Sequence, residues 1–190
     1  MASIKGTKTE QNLLKAFAGE SQARNRYTMY AKKARDEGYH QIAAIFLETA
    51  DNELEHAKQF FKFFEGGEIE ITAGYPTDIG TTKENLKFAA AGENIERTKL
   101  YPSFGEIAEK EGFSEIALKF KAITKIETEH EKRYLAFLNQ VTKGTVFKKD
   151  KKVRWKCREC GYIWEGETPP KVCPFCGHSH EYYEVAVDYV

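Results

Sequence analysis

The sequence lacks several features that mark particular classes of protein. It has no excess of charge, because 29 Lys and Arg residues balance 29 Asp and Glu residues, and a nucleic-acid binder needs a basic surplus for its phosphate contacts. The longest uninterrupted apolar run, residues 42–47, is far shorter than the roughly 20 residues of a membrane-spanning helix. The N-terminus has no apolar stretch resembling a secretion signal. We therefore expect a cytoplasmic protein with neither a nucleic-acid partner nor a membrane segment.

Cysteine is scarce, and all four cysteines lie in one short stretch. They form two close pairs, Cys157-x-x-Cys160 and Cys173-x-x-Cys176. A disulfide framework would spread its cysteines along a secreted chain, so this clustering predicts one tetrathiolate metal site instead. The spacing alone leaves structural zinc and redox-active iron both open, and zinc is somewhat the more frequent occupant of such a pattern.

Proline is also scarce before residue 141, where only Pro76 and Pro102 occur. Capping-box patterns and glycines divide this part into four long helices, near 8–37, 40–65, 82–111 and 114–142. The connection over residues 66–80 is long enough to cross a bundle. We expect an all-α four-helix bundle over residues 1–142 with one long crossover. A Lys-rich linker over 143–152 would then lead to a small β-rich module over 153–190.

The helical part contains an internal repeat. Residues 38–64 align with 112–138 at a shift of 74, with identical residues at nine of 27 positions. The identities include Glu53 with Glu127 and His56 with His130. Two helical hairpins related by a pseudo-twofold axis are therefore expected, and each contributes carboxylates and one histidine.

Charged side chains interrupt the apolar stripe of every predicted helix. Residues spaced three or four apart share one helix face, so a group of glutamates and two histidines points into the bundle: Glu20, Glu53, His56, Glu93, Glu96, Glu127 and His130. A dry core cannot hold so many unpaired charges. Glu-x-x-His on two helices with single glutamates from the others is the pattern of a dinuclear metal site in a bundle core. Its oxygen and imidazole donors suit iron, manganese or zinc.

At this point the chain resembles the rubrerythrin family over its whole length. The motifs that carry the resemblance are Glu20-Ser-Gln-Ala-Arg-Asn-Arg-Tyr27, both Glu-x-x-His pairs, Glu93-x-x-Glu96 with Tyr101-Pro102, and the two cysteine pairs. The resemblance implies a ferritin-like bundle that holds a di-iron centre, followed by a rubredoxin-like domain with one iron on four cysteines. It implies a peroxidase that reduces hydrogen peroxide to water in oxidative-stress defence. Electrons would come from NAD(P)H through a separate carrier, such as a rubredoxin or a reductase.

The resemblance also implies roles for single residues. Glu53 and Glu127 would bridge the two irons, Glu20 would hold the first iron, and Glu93 with His130 would hold the second. The first iron would take Glu96 when oxidised and His56 when reduced. Tyr27 and Tyr101 would hydrogen-bond to ligand glutamates, although their positions alone fit ordinary core aromatics equally well.

Two other functions remain open on the sequence. Iron oxidation and storage, as in ferritins, would explain the bundle site but not the thiolate module. A non-enzymatic adaptor with two structural metal sites would explain both without chemistry. The family precedent is a head-to-tail homodimer or tetramer, in which the thiolate site of one subunit serves the di-iron site of another.

Overall fold

The computed structural model describes residues 2–187, so residues 1 and 188–190 of the expected domain ranges lie outside it. The helices are α1 (Lys8–Asp36), α2 (His40–Phe61), α3 (Thr82–Ile95), α4 (Tyr101–Lys110) and α5 (Ser114–Lys143). A π-helical turn, Glu96–Leu100, joins α3 to α4 without a break. These three segments make one long helix, and the predicted four-helix bundle is confirmed. No helix over residues 2–187 combines the length and apolar character needed to cross a bilayer.

The helix ends follow the expected local chemistry. Thr81 and Glu84 form the predicted capping box, in which each side chain accepts a hydrogen bond from the other residue's backbone N–H. Gly38 and Gly112 end α1 and α4 with φ angles of 80° and 86°, a left-handed conformation that glycine adopts without steric cost. Each of these turns reverses the chain tightly, which makes hairpins of α1 with α2 and of α4 with α5.

The crossover between the hairpins is longer than predicted, because α2 ends at Phe61 and not near residue 65. The connection runs over residues 62–81 along the outside of the bundle. Two tyrosine hydroxyls fasten it to α1: Tyr75 donates to the Lys15 carbonyl at 3.0 Å, and Tyr30 donates to the Asp78 carbonyl at 2.7 Å.

The π-helical turn lies directly before Pro102. Proline has no backbone N–H and disrupts a regular helix, and a single π turn adds one residue to a helix turn. The added residue rotates the inward face. Regular spacing of three and four residues from Glu93 and Glu96 predicts Leu100 in the core, yet Leu100 is 41% exposed, whereas Tyr101 is 2% exposed.

The core of the bundle has two apolar clusters with a polar layer between them. One cluster contains Tyr27, Phe46, Leu86 and Tyr134, and the other contains Leu13, Phe60, Tyr101 and Phe120. On each of the four long helices, the predicted metal-binding residues lie between the positions that enter the two clusters. The fold therefore seals the polar layer from above and below.

The C-terminal module contains an antiparallel sheet of β1 (Val153–Cys157), β2 (Ile163–Gly166) and β3 (Tyr183–Val185), in the order β2-β1-β3. Trp155 is fully buried, lies opposite Trp164 on β2, and forms the core of the module with Tyr183. The module contacts the N-terminal end of α2, where the Tyr182 ring stacks on His40 with 3.7 Å between centroids. Phe147 of the preceding segment stacks on Tyr39, so this segment is packed against the bundle.

Candidate metal centres

The polar layer of the bundle contains two overlapping groups of potential metal ligands. One group consists of Glu20, Glu53, His56 and Glu127, and the other of Glu53, Glu93, Glu127 and His130. Within each group the ligand atoms lie within 4.8 Å of one another, and all of the side chains are buried. Glu53 and Glu127 belong to both groups, which is the relationship needed for two metals held side by side.

The two shared carboxylates face both histidines. Glu53 places Oε2 at 2.8 Å from His56 Nδ1 and Oε1 at 3.4 Å from His130 Nδ1. Glu127 mirrors this arrangement, with Oε2 at 2.8 Å from His130 Nδ1 and Oε1 at 3.4 Å from His56 Nδ1. The pseudo-twofold axis expected from the sequence repeat therefore passes between these side chains.

The chemistry of this layer fits a pair of cations. Seven buried polar atoms make no hydrogen bond, namely both carboxylate oxygens of Glu53, both of Glu127, one of Glu93, and the Nδ1 atoms of His56 and His130. Buried polar groups without partners are costly and rare. Here the unpartnered atoms belong to the two ligand groups described above. Carboxylate oxygen with imidazole nitrogen is a typical donor set for iron in a helical bundle.

The same crowding shifts the proton affinities of the free protein. Burial, together with the neighbouring Glu53 carboxylate, raises the pKa of Glu20 to about 8. Burial disfavours the charged forms of His56 and His130, but the carboxylates beside them outweigh it and raise their pKa values to about 10 and about 9. Burial also opposes ionisation of Glu53, yet the two imidazoles lower its pKa to about 2. Protons and metal cations therefore compete for the same groups in this layer.

Two buried tyrosines hold carboxylates of this layer from outside. The Tyr27 hydroxyl donates to Glu93 Oε1 at 2.6 Å. The Tyr101 hydroxyl donates to Glu20 Oε1. The tyrosines are related by the repeat, and each contacts a carboxylate of a different metal group. Such contacts orient ligands around a metal.

Glu96 stands apart from both groups. It lies at the start of the π-helical turn and lines a cavity of about 380 Å³, together with Arg26, Tyr75 and Tyr101. Burial, followed by the repulsion of Glu93, raises the pKa of Glu96 well above its usual value. In this structure, His56 therefore lies among the clustered ligands of the first group, whereas the Glu96 carboxylate lies beside the cavity.

Two polar residues near the layer were not identified from the sequence. Arg26 is 7% exposed and its Nε and Nη1 atoms make no hydrogen bond. A regular alternation of four- and three-residue steps along α1, through Leu13, Phe17 and Glu20, predicts Arg24 in the core. Arg24 instead lies half-buried in a surface groove. In the structure, the next buried position after Glu20 is Ala23, three residues further along α1 and not four. The buried arginine is therefore Arg26 and not Arg24. The second residue is Asn52, whose Oδ1 lies 3.3 Å from His130 Nε2.

The four cysteines lie together in the C-terminal module and form no disulfide. Cys157 Sγ is 3.7 Å from Cys176 Sγ, and Cys160 Sγ is 3.6 Å from Cys173 Sγ. A tetrahedral site with metal–sulfur bonds of about 2.3 Å has sulfur–sulfur edges of about 3.8 Å. The thiols are therefore spaced for one tetrahedral metal ion. Each Cys-x-x-Cys pair ends in a glycine with positive φ, Gly161 or Gly177, which turns the backbone back around the sulfurs.

Comparison with known proteins identifies both parts of the chain. A family model described as rubrerythrin matches residues 11–138, and a model of the rubrerythrin rubredoxin-like domain matches residues 155–184. The chain is 58% identical to rubrerythrin of Porphyromonas gingivalis over 183 residues, which covers 96% of this chain and 92% of that protein. The chain belongs to the rubrerythrin family. It is also 50% identical to rubrerythrin of Nitratidesulfovibrio vulgaris, with 97% of each protein covered.

Solved structures agree with this assignment. A structure of fully reduced nigerythrin aligns with a TM-score of 0.63 and 32% identity, covering 97% of this chain and 92% of that one. The ferritin-like bundle and the rubredoxin-like module are thereby confirmed. As a rubrerythrin, the chain has a di-iron centre in the bundle and one iron on the four cysteines, so iron takes the place of the zinc that the cysteine spacing favoured. It is a di-iron protein of oxidative-stress defence, and the family indicates an oxidoreductase.

Proposed function

We propose that this rubrerythrin is a cytoplasmic peroxidase that reduces hydrogen peroxide to water at the bundle site. The observation that carries the proposal is the pair of ligand groups sharing Glu53 and Glu127, joined in one chain to a tetrathiolate site. A dinuclear centre accommodates a two-electron reaction, and a one-iron tetrathiolate exchanges single electrons with fixed ligands. Four unpaired thiols also suit a reducing compartment.

Each ligand takes a role that its position supports. Glu53 and Glu127 would be shared by the two metals, because each directs one oxygen toward His56 and the other toward His130. Glu20 and His56 hold the first metal. Glu93 and His130 hold the second metal. Glu96 would exchange with His56 as a ligand of the first metal, and Glu96 lies at the start of the π-helical turn, where the regular α-helical hydrogen-bond pattern is interrupted.

When bound, the two ferrous ions supply the two electrons that break the O–O bond of hydrogen peroxide. Two protons complete two molecules of water, so atoms and charge balance. The chain supplies the surroundings of this step: the cavity beside Glu96 and Arg26 admits a small substrate, and the apolar clusters exclude bulk water. Tyr27 and Tyr101 keep the carboxylates of Glu93 and Glu20 in place. Glu96, whose pKa is raised by burial, holds a proton at the wall of the cavity.

Electrons enter through Cys157, Cys160, Cys173 and Cys176 from a donor such as a rubredoxin or an NAD(P)H-dependent reductase. Within one chain the module touches α2 at His40. Glu53 lies 13 residues further along α2, about 20 Å at 1.5 Å per residue. This long route supports a head-to-tail homodimer or tetramer, in which the thiolate site of one subunit lies near the bundle site of its partner.

The test is anaerobic turnover of peroxide by iron-loaded, fully reduced protein, with metal analysis of the same sample. We expect one peroxide to oxidise two bundle ferrous ions, followed by oxidation of the thiolate iron and no release of hydroxyl radical. A Cys160→Ser, Cys173→Ser variant should retain the first oxidation and lose repeated turnover with the external donor. Peroxide consumption no faster than that of free ferrous ions would refute the proposal.

Iron oxidation and storage is the alternative, favoured only by the ferritin-like bundle. It requires a large hollow assembly and gives the thiolate module no task. Sedimentation of the iron-loaded protein separates the two functions. A dimer or tetramer fits the peroxidase, whereas a cage that retains many iron ions per chain would favour storage.

A further inference from the structure

The two histidines of the metal layer differ on their outer sides. The Nδ1 atoms of both face the shared carboxylates. The Nε2 atom of His130 lies 3.3 Å from Asn52 Oδ1, whereas no described residue accepts a hydrogen bond from His56 Nε2. A histidine that binds metal through Nδ1 carries its proton on Nε2. The carbonyl oxygen of Asn52 is therefore placed to accept that proton from His130.

The internal repeat explains the difference. The shift of 74 residues that relates His56 to His130 also relates Asn52 to Ile126. The repeat therefore makes Ile126 the counterpart of Asn52, and Ile126 is 41% exposed. Isoleucine offers no acceptor. Both residues line the same surface cleft, of about 690 Å³, next to His130.

We propose that Asn52 is a positioning residue that fixes the His130 ring as a permanent metal ligand, while Ile126 leaves the His56 ring without an equivalent anchor. A hydrogen bond to the outer nitrogen of a ligating histidine sets its tautomer and ring orientation. The two imidazoles therefore hold their metals unequally. This explanation rests on the proposed function. The unequal anchoring of the two imidazoles explains why His56, and not His130, is the ligand that exchanges with Glu96.

The mirror pair of positions provides the test, with Co²⁺ as the probe on the otherwise intact chain. Asn52→Leu removes the acceptor, Asn52→Asp restores one of similar size, and Ile126→Asn creates one at the counterpart position. Ile126→Leu serves as the apolar control. Affinities come from competition with a chelator. The absorption spectrum distinguishes Co²⁺ in the bundle, which is bound by oxygen and nitrogen, from Co²⁺ bound by the thiolates.

We expect Asn52→Leu to weaken one bundle Co²⁺ by about 10–100-fold, the usual effect of losing such a contact, and Asn52→Asp to retain most of the affinity. Ile126→Asn should strengthen the other bundle Co²⁺, and Ile126→Leu should leave both unchanged. In the zinc-loaded protein, the ¹⁵N spectrum of histidine should contain one bundle Nε2–H protected from solvent exchange. This signal should be lost in Asn52→Leu and joined by a second in Ile126→Asn.

Unchanged Co²⁺ affinity and an unchanged protected proton in Asn52→Leu would overturn the proposal, even if the melting temperature of the metal-free variant fell. Such a result would mean that Asn52 contributes only to packing. None of these measurements involves peroxide. A chain that passes them but fails peroxide turnover would therefore refute the proposed function and leave the positioning role of Asn52 intact.

Discussion

The Tyr27 hydroxyl donates a hydrogen bond to Glu93 Oε1 at 2.6 Å, across the interior of the bundle from α1 to α3. Both residues are almost fully buried, with 1% of each exposed. The carboxylate keeps its second oxygen, Oε2, without a hydrogen bond and directed at the second ligand group. The tyrosine therefore aims the carboxylate and leaves one oxygen available for metal.

Replacing Tyr27 with phenylalanine should release the Glu93 carboxylate while preserving the aromatic packing. We expect the affinity of the second bundle site for Co²⁺ to fall about 10–100-fold, measured by competition with a chelator. Tyr30→Phe is the matched control, because Tyr30 lies one turn away and its hydroxyl donates to the Asp78 carbonyl in the crossover. The control should lose about 1 kcal/mol of stability and no metal affinity. Equal metal affinity in the two variants would contradict the role of Tyr27.

Replacing His56 with alanine should trap the first metal near Glu96. Without the imidazole, the reduced centre has no neutral ligand to take up in place of the Glu96 carboxylate. We expect slower peroxide turnover, and X-ray absorption of the reduced variant should lack the histidine contribution of the first iron. Lys58→Ala, on the exposed side of the same helix, should behave as wild type. Wild-type peroxidase rates in reduced His56→Ala protein would exclude the exchange.

The composition, the cysteine pairs and the internal repeat were sufficient to predict the fold and the position of the metal layer. The repeat was decisive, because a single Glu-x-x-His is common on solvated helices. The matched pair at Glu53 and Glu127 identified the inward face. Glu55 and Glu129, two positions further along, lie about 200° around the helix and are exposed.

The sequence failed where the helices depart from regular geometry. The π-helical turn shifts the inward face from Leu100 to Tyr101, and no periodic stripe contains that extra residue. Arg26 was missed because the stripe of α1 was followed with the wrong alternation of three- and four-residue steps. Asn52 was missed because its contact with His130 joins α2 to α5, which only the assembled bundle defines.

Metal loading of the bundle should release protons at pH 7. The pKa values of Glu20, His56 and His130 in the free protein are about 8, 10 and 9, so all three groups are mainly protonated at this pH. Metal ligands must be deprotonated. We expect at least these three protons to leave on binding two Zn²⁺ ions in the bundle, beyond those from the thiols. Calorimetric titration in buffers of different protonation enthalpy gives the number.

The sign of the pH dependence follows from the same groups. The raised pKa values of the histidines mean that metal competes with protons, so bundle affinity should rise with pH between 6 and 9. In the metal-free protein, the stabilisation from the charged imidazoles is complete below pH 6.5 and is lost as the pH rises through about 9 to 10. His56→Ala should release one proton fewer than wild type at pH 7. An equal proton count would contradict the raised pKa of His56.

The buried polar layer should destabilise the fold when no metal is bound. Replacing Glu127 tests this directly, through the free energy of unfolding. Its side chain is 1% exposed, its two oxygens face His130 and His56 without hydrogen-bonding geometry, and burial raises its pKa well above the usual value. A buried polar group without a partner costs about 1–3 kcal/mol. We therefore expect Glu127→Met to raise the free energy of unfolding of the metal-free protein by about that amount, measured by urea denaturation.

The same variant should lose the stabilisation that bound metal provides to the native state. Adding Zn²⁺ should therefore raise the melting temperature of the bundle in wild type but not in Glu127→Met. Glu129→Met is the matched control, because the Glu129 side chain is 70% exposed on the same helix, and such surface changes usually alter stability by about 0.5 kcal/mol or less. A metal-free Glu127→Met protein less stable than wild type would mean that the protonated carboxyl is satisfied within the layer. The cost of maintaining the site would then have to lie in other residues.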